Sequence, residues 1–485
     1  MTLRGTRGPH VLVIALTALA LLTACAGQTV PGRARPSGDV DPGAVAGLPV
    51  TNGPSGLKPG VPTAKLNVSN YAGTDMDKLA VDALSDIFTF WSTTLPRDFG
   101  KKFTPVRKLT SFDSNGANVE VCGQSSQGVE NAFYCPTDDS VSWDRGTLLP
   151  ALDKMFGPMS VVTVFAHEMG HAIQFRLGSV NRNTPTIVKE QQADCYAGAF
   201  IRWAADGNAK HFRISTGDGL NEVLSTMMFI RDQVGTTDVD PQAHGSSFDR
   251  VTAFQFGFTD GPVRCDKIDY NEVRQRVTEL GFTQASQAND NVPVNDDTLA
   301  LLEQSLTAAF KQNSATPPKI VPGDGTCADG TGTPPASYCP ADNTIAVELN
   351  SLNELATLPP DDQLGVSGSK GLGDFAAFAE VASRYALAVQ HALGIPLDDK
   401  NAGLRTACLT GAWAGVIRHR ISDGPTEQLL LGPGDLDEAV AELLSPSSMI
   451  AADVHGSRVA AGFARVTSFQ DGFLQGSSVC TSQFS

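Results

Sequence analysis

The chain is written twice, and this constrains its fold more than any single motif does. Arg250-Val-Thr-Ala-Phe-Gln-Phe-Gly-Phe258 returns as Arg465-Val-Thr-Ser-Phe-Gln-Asp-Gly-Phe473, with seven of nine residues identical. A cysteine follows each copy, Cys265 and Cys480. Tyr134-Cys135-Pro136 matches Tyr338-Cys339-Pro340, with Cys122 and Cys327 upstream. Cys195-Tyr-Ala-Gly-Ala-Phe200 matches Cys408-Leu-Thr-Gly-Ala-Trp413, and Ala166 to Gly178 lines up with Ala382 to Gly394. The order is collinear, so the chain reads as an internal duplication of one fold.

The cysteines follow the same logic. Setting Cys25 aside leaves eight, which allow 105 connectivities. Pairing within a copy gives each fold the same staple, whereas cross-pairing needs a swap. The expected disulfides are Cys122–Cys135, Cys195–Cys265, Cys327–Cys339 and Cys408–Cys480, in an oxidising compartment.

The chemistry lies in the first copy. His167-Glu168-Met169-Gly170-His171 is an HExxH pattern, and Glu190-Gln-Gln-Ala-Asp194 follows. Histidines four apart project from one helix face, where neutral imidazoles can grip one Zn2+. Glu168 is placed to take a proton from water beside the metal. Glu190 is the candidate third ligand, and Asp194 can orient a ligand histidine from behind. Val161, Val162, Val164 and Phe165 precede the motif, Ile173 and Leu177 follow at helical spacing, and Gly178 is a natural stop. Thr184 as N-cap and Pro185 at the first position predict a second helix to about Ala205.

The second copy lost this set. His167, Glu168 and His171 become Ser383, Arg384 and Leu387, while Glu190 and Asp194 become Gly403 and Ala407. One zinc ion is therefore expected, in the first half only. His244-Gly245 could donate a hydrogen bond in the transition state, but His455-Gly456 stands in a similar place, which equally fits a structural role. Tyr196 is a second candidate donor. Asn131-Ala-Phe-Tyr134 reads as a strand whose edge could bind a peptide backbone, or Asn131 is a turn residue.

The ends of the chain carry an address. Arg4 and Arg7 precede an apolar run from Val11 to Leu22, too short for a membrane span. Leu22-Thr23-Ala24-Cys25 resembles a bacterial lipobox, the alternative being an ordinary secretory signal with an incidental cysteine. Residues 26–65, rich in Gly and Pro, read as a tether. No later run offers 18 apolar residues, so the expected location is the bacterial cell envelope, with a lipid on Cys25 holding the body at a membrane. Of 485 residues, 41% are hydrophobic and 18% charged, which suits two or three globular domains. A net charge of -16 with no basic cluster excludes a nucleic-acid partner.

At Phe133-Tyr-Cys-Pro136, Ala166-His-Glu-Met-Gly-His171, Gln192-Ala-Asp-Cys195, His244-Gly245, Arg250 and Gly257-Phe258, the chain resembles the neutral zinc metallopeptidases of bacteria. It is most similar to their actinobacterial lipoprotein members. The resemblance spans about Asn67 to Asp269. It implies a zincin-type domain with Zn2+ at His167, His171 and Glu190 and with Glu168 as general base. Asn131-Ala-Phe-Tyr134 also looks like the substrate-binding edge strand of thermolysin-like enzymes.

The expectation is an α+β protein. It has a lipoprotein signal (1–25), a tether (26–65), a zincin-like domain (66–283), a linker (284–297) and a degenerate metal-free repeat (298–485). The second half should pack on the first, and the substrate should be a peptide or protein. Two other readings remain open from the residues: an envelope scaffold with non-catalytic zinc, and a zinc amidase acting on cell-wall peptides.

Overall fold

The computed structural model describes residues 41–237, 240, 243–276, 291–312, 316–359, 371–419 and 427–484. The signal segment and Cys25 lie outside them. Ala44–Val45 (β1) and Leu48–Pro49 (β2) form a hairpin, and Gly56–Leu57 (β3) pairs with Phe212–Arg213. This corrects the reading of residues up to 65 as tether. Val45 is 1% exposed, and Thr51 donates its amide to Thr216 Oγ1. The segment joins the body mainly through its backbone, so its Gly- and Pro-rich composition carries no periodic apolar signal.

Asp75–Phe99 (α1) begins where Thr74 accepts a hydrogen bond from the Asp77 amide. Next come Lys108–Phe112 (β4), Glu120–Val121 (β5), Gln124–Ser125 (β6), Ala132–Cys135 (β7) and Ser140–Asp144 (β8). The sheet order is β4-β8-β7, with β4 parallel and β7 antiparallel to β8. All five residues of β8 are buried, as befits a central strand. β7 is an edge.

Leu148–Phe156 (α2) leads into Pro158–Leu177 (α3) and Thr186–Ala205 (α4). α3 has Pro158 at its first turn, and Gly178 at φ 72° ends it, donating to Gln174 O. α3 is buried on nearly every side through His167, which makes it the central helix of this half. Phe212–Arg213 (β9), Asp218–Phe229 (α5), Ser247–Asp260 (α6), Pro262–Cys265 (α7) and Tyr270–Arg276 (α8) complete the half.

The second half starts earlier than its sequence suggests. Val294 is buried, and Asn295 caps Asp296–Ala309 (α9), so residues 291–297 belong to this half rather than to a linker. Lys319–Pro322 (β10), Ala336–Cys339 (β11), Thr344–Val347 (β12), Leu349–Leu355 (α10), Asp374–Ala392 (α11), Ala402–Ile417 (α12), Asp435–Leu444 (α13), Gly462–Gln475 (α14) and Ser477–Gln483 (α15) follow. The sheet order is β10-β12-β11, with one parallel and one antiparallel pair, the arrangement of β4-β8-β7. The disulfides are Cys122–Cys135, Cys195–Cys265, Cys327–Cys339 and Cys408–Cys480.

Paired glycines explain how the helices cross in each half. A β-carbon on Gly198 would lie 2.0 Å from Phe254 O, and one on Gly257 would lie 1.7 Å from Cys195 O. Gly411 and Gly472 meet Phe469 O and Cys408 O in the same way. Backbone-to-backbone contact of α4 with α6, and of α12 with α14, leaves no room for a side chain.

α6 and α14 then meet each other through reciprocal contacts. Phe248 packs on Phe473 with centroids 5.2 Å apart, and Phe258 packs on Phe463 at 5.1 Å. Gln255 donates to Phe463 O, and Gln470 donates to Thr252 Oγ1. The same patch on each half faces its counterpart, the hallmark of an isologous contact.

Candidate metal centre

The i, i+4 spacing on α3 places His167 and His171 side by side, with ring centroids 4.8 Å apart. Gly170 between them lets α4 cross closely, since a β-carbon there would come within 2.9 Å of Ala193 Cα. That approach sets Glu190 against both rings. Glu190 Oε2 lies 3.2 Å from His167 Nε2, and Oε1 lies 3.4 Å from His171 Nε2. One ligand atom from each of the three residues falls within 4.8 Å of the other two.

The hydrogen bonds behind the rings decide their tautomers. His167 Nδ1 lies 2.7 Å from the carboxylate of Asp194, an acceptor, so Nδ1 carries the proton. Gln174 donates its amide to Lys189 O, which turns its Oε1 toward His171 Nδ1 at 3.1 Å. That ring is likewise protonated on Nδ1. In the neutral rings both Nε2 lone pairs then face a carboxylate, and Glu190 Oε2 is buried with no hydrogen-bond partner among the described residues. Electron-rich groups converge on one point, where a cation belongs. The donor set of two imidazole nitrogens and one carboxylate oxygen suits Zn2+.

The electrostatics agree. Burial opposes charge on His167, yet Asp194 and Glu190 outweigh it and push its pKa up to about 10. His171 is raised against the same penalty, chiefly by Glu190. Burial works against ionised Glu190 as well, but the two histidines hold its carboxyl well below the usual range. The carboxylates thus call for positive charge at this point, which protons on the imidazoles or a bound cation supply.

Arg250 and Tyr134, part of the sequence motifs but given no role there beside the metal, complete the centre. Arg250, 1% exposed, donates to Asp194 Oδ1 at 2.8 Å and to Ile230 O at 3.0 Å. The amide of Tyr134, on the outer edge of β7, donates to Glu168 Oε2 at 2.8 Å. This bond fixes Glu168 beside the two histidines and joins the strand edge to the site. Phe175, on the same face one turn beyond His171, is 49% exposed, with its ring 5.8 Å from Tyr134.

Other expectations fare differently. Tyr196 is fully buried against Trp91, and its hydroxyl has no hydrogen-bond partner among the described residues. It points to the core, which corrects its nomination as a substrate contact. Burial pushes its hydroxyl far above the usual phenol range. Asn131 is exposed, and its side chain accepts the Ala132 amide at the start of β7. His244 is half exposed and bonded to Asp232 through Nδ1 at 3.1 Å. Gly245 behind it packs near Ile187 and Arg250. Pro185, not Thr184, caps α4.

In the second half, Ser383, Arg384 and Leu387 are buried on α11, and Gly403 and Ala407 on α12. The Arg384 guanidinium donates to Thr333 Oγ1, Asp453 O and Met449 O, supplying a cation of its own. A separate group of buried carboxylates, Asp374, Asp435 and Glu438, went unnoticed in sequence. Its members hold backbone amides of Val292, Gly432 and Phe375. Burial and neighbouring Asp374 raise Glu438 well above the carboxylate range.

Cys195 sits next to Asp194 on α4, so its disulfide to Cys265 anchors the helix that supplies Glu190 and Asp194. Closing a loop of 70 residues stabilises by about 4 kcal/mol in the chain-entropy treatment. Replacing both cysteines with serine should lose stability of that order in urea unfolding. A change under ~1 kcal/mol would show that the bridge constrains little.

Residues 40–268 match the family described as "Putative neutral zinc metallopeptidase". The uncharacterized protein YpfJ of Escherichia coli K12 is 27% identical over 41% of this chain and 82% of its own length. The uncharacterized protein Rv2575 of Mycobacterium tuberculosis H37Rv is 24% identical over 47% of this chain and 82% of its own. No solved structure matches at a significant level.

Proposed function

We propose, from the premise that residues 40–268 belong to this zinc metallopeptidase family, that the chain hydrolyses peptide bonds at the cell envelope. The observation that carries the proposal is the convergence of His167 Nε2, His171 Nε2 and the Glu190 carboxylate, with Glu168 beside them. In this reading the first half is a zincin-like domain and the second a degenerate copy without metal.

His167, His171 and Glu190 would hold Zn2+, which would supply Lewis-acid chemistry toward a carbonyl and water. Glu168 accepts the proton of the attacking water and passes it to the leaving amine. Asp194 and Gln174 hold the two imidazoles in the ligating tautomer. The β7 edge turned away from β8, where Asn131 and Glu168 hold the Ala132 and Tyr134 amides, offers its carbonyls to an extended peptide, with Phe175 beside Tyr134. Lipid on Cys25 would keep this activity at the membrane face. Among the described residues, no helix is long and apolar enough to cross a membrane.

The purified full chain should contain one Zn2+, and a chelator should abolish hydrolysis until zinc is restored. His167→Ala should lose the metal, and full zinc in that variant would sink the ligand assignment. Incubation with casein and with peptidoglycan fragments, side by side, decides the substrate class. Cleavage of the fragments alone would replace the peptidase by an amidase.

A further inference from the structure

Two corresponding side chains cross the contact between the halves. Asn221, in Leu220-Asn221-Glu222 of α5, accepts the Gly462 amide at the start of α14 at 3.0 Å. Asp437, in Leu436-Asp437-Glu438 of α13, accepts the Phe248 amide at the start of α6 at 3.3 Å. Each half thus caps the other's duplicated helix.

The pair is chemically unequal. The cap directed at the second half is a neutral amide, whereas the cap directed at the first half is a carboxylate, 4% exposed. Its other oxygen lies 3.2 Å from Arg231 Nε. Asp232, the next residue, holds the amides of His244 and Gly245 at 2.6 and 2.8 Å and the His244 ring at 3.1 Å. α6 carries Arg250 to Asp194, and Asp194 meets His167. One side chain of the second half therefore touches both α6, which carries Arg250, and Arg231, next to the residue that holds His244.

We propose that Asp437 is a positioning residue for the metal site, the point where the copy without ligands acts on the copy that has them. This rests on the reading that His167, His171 and Glu190 hold zinc. The charge pairs with Arg231, so Asp437, unlike the amide of Asn221, couples the start of α6 to the segment that leads to His244. Burying a carboxylate is costly unless it is paired and hydrogen-bonded, and Asp437 has both kinds of partner. The negative end also suits the N-terminus of α6.

The test compares Asp437→Ala with Asn221→Ala in the full chain, since each removes one cap across the same contact. Zinc affinity is read by competition with a chromophoric chelator, and folding stability by urea unfolding. Asp437→Ala should weaken zinc about tenfold, the low end for losing support behind a ligating histidine. Asn221→Ala should leave zinc affinity unchanged. Hydrogen exchange of the zinc-free protein should quicken at Phe248–Arg250 in the first variant and at the start of α14 in the second.

If Asp437→Ala does not fold, Asp437→Asn decides, because it keeps an acceptor for the Phe248 amide and loses the charge opposite Arg231. Weaker zinc binding in that variant supports the proposal. Unchanged zinc affinity in every folded Asp437 variant, with stability loss equal to that of Asn221→Ala, overturns it and leaves Asp437 a packing residue. Zinc binding that survives His167→Ala would instead defeat the metal reading on which the proposal rests.

Discussion

Glu168→Gln should keep its full zinc content while peptide hydrolysis falls by about 10²–10⁴-fold, the usual worth of a positioned general base. The carboxamide has nearly the shape of the carboxylate, and its oxygen can still accept the Tyr134 amide. The side chain thus stays in place and loses only its basicity. Zinc is unaffected because the converging ligand atoms belong to His167, His171 and Glu190. Elemental analysis and kcat on one peptide check both halves of the prediction. A variant retaining more than about a tenth of wild-type kcat would show that another group takes the proton.

Asp194→Ala should damage folding and metal binding together. Asp194 Oδ1 is shared by His167 Nδ1 and the buried Arg250 guanidinium. Removing the carboxylate leaves Arg250 uncompensated in the core, at a cost of about 3–5 kcal/mol. It also frees the His167 ring to rotate and exchange tautomers, which should weaken zinc by about 10–100-fold. Asp194→Asn is the informative control. Its amide oxygen can still accept from either partner, so both losses should be smaller. Urea unfolding and chelator competition measure the two effects separately. A stable Asp194→Ala variant with native zinc affinity would show that Arg250 and His167 find other partners.

The candidate ligand set was legible because its determinants are local. Residues 167 and 171 share a helix face whatever surrounds them, and the flanking apolar pattern with Gly178 marks that helix. Gly170 carries a further message, since the close crossing of α3 over α4 needs it. Comparing the two copies separated chemical positions from framework without any relatives. The same comparison is silent on Arg250. Its counterpart Arg465 is bonded to the carbonyls of Leu443 and Val459 instead of a carboxylate. One arginine position serves two tasks because the carboxylate it meets, Asp194, became Ala407 in the other copy.

By itself the sequence determined the HExxH helix and the one after it, the facing imidazoles, the Glu190 and Asp194 that follow them, and the eight cysteines in matching places of the two halves. Each depends on helical period or on correspondence between copies, both properties of residue order. Only the tertiary structure decided that the Tyr134 amide holds Glu168 and that Arg250 stands behind Asp194. It also decided that Tyr196 turns into the core and that Asp437 reaches the start of α6. These contacts join residues as far as 189 positions apart. They follow from how closely helices cross and which side of a strand is left unpaired, and packing sets both rather than local period.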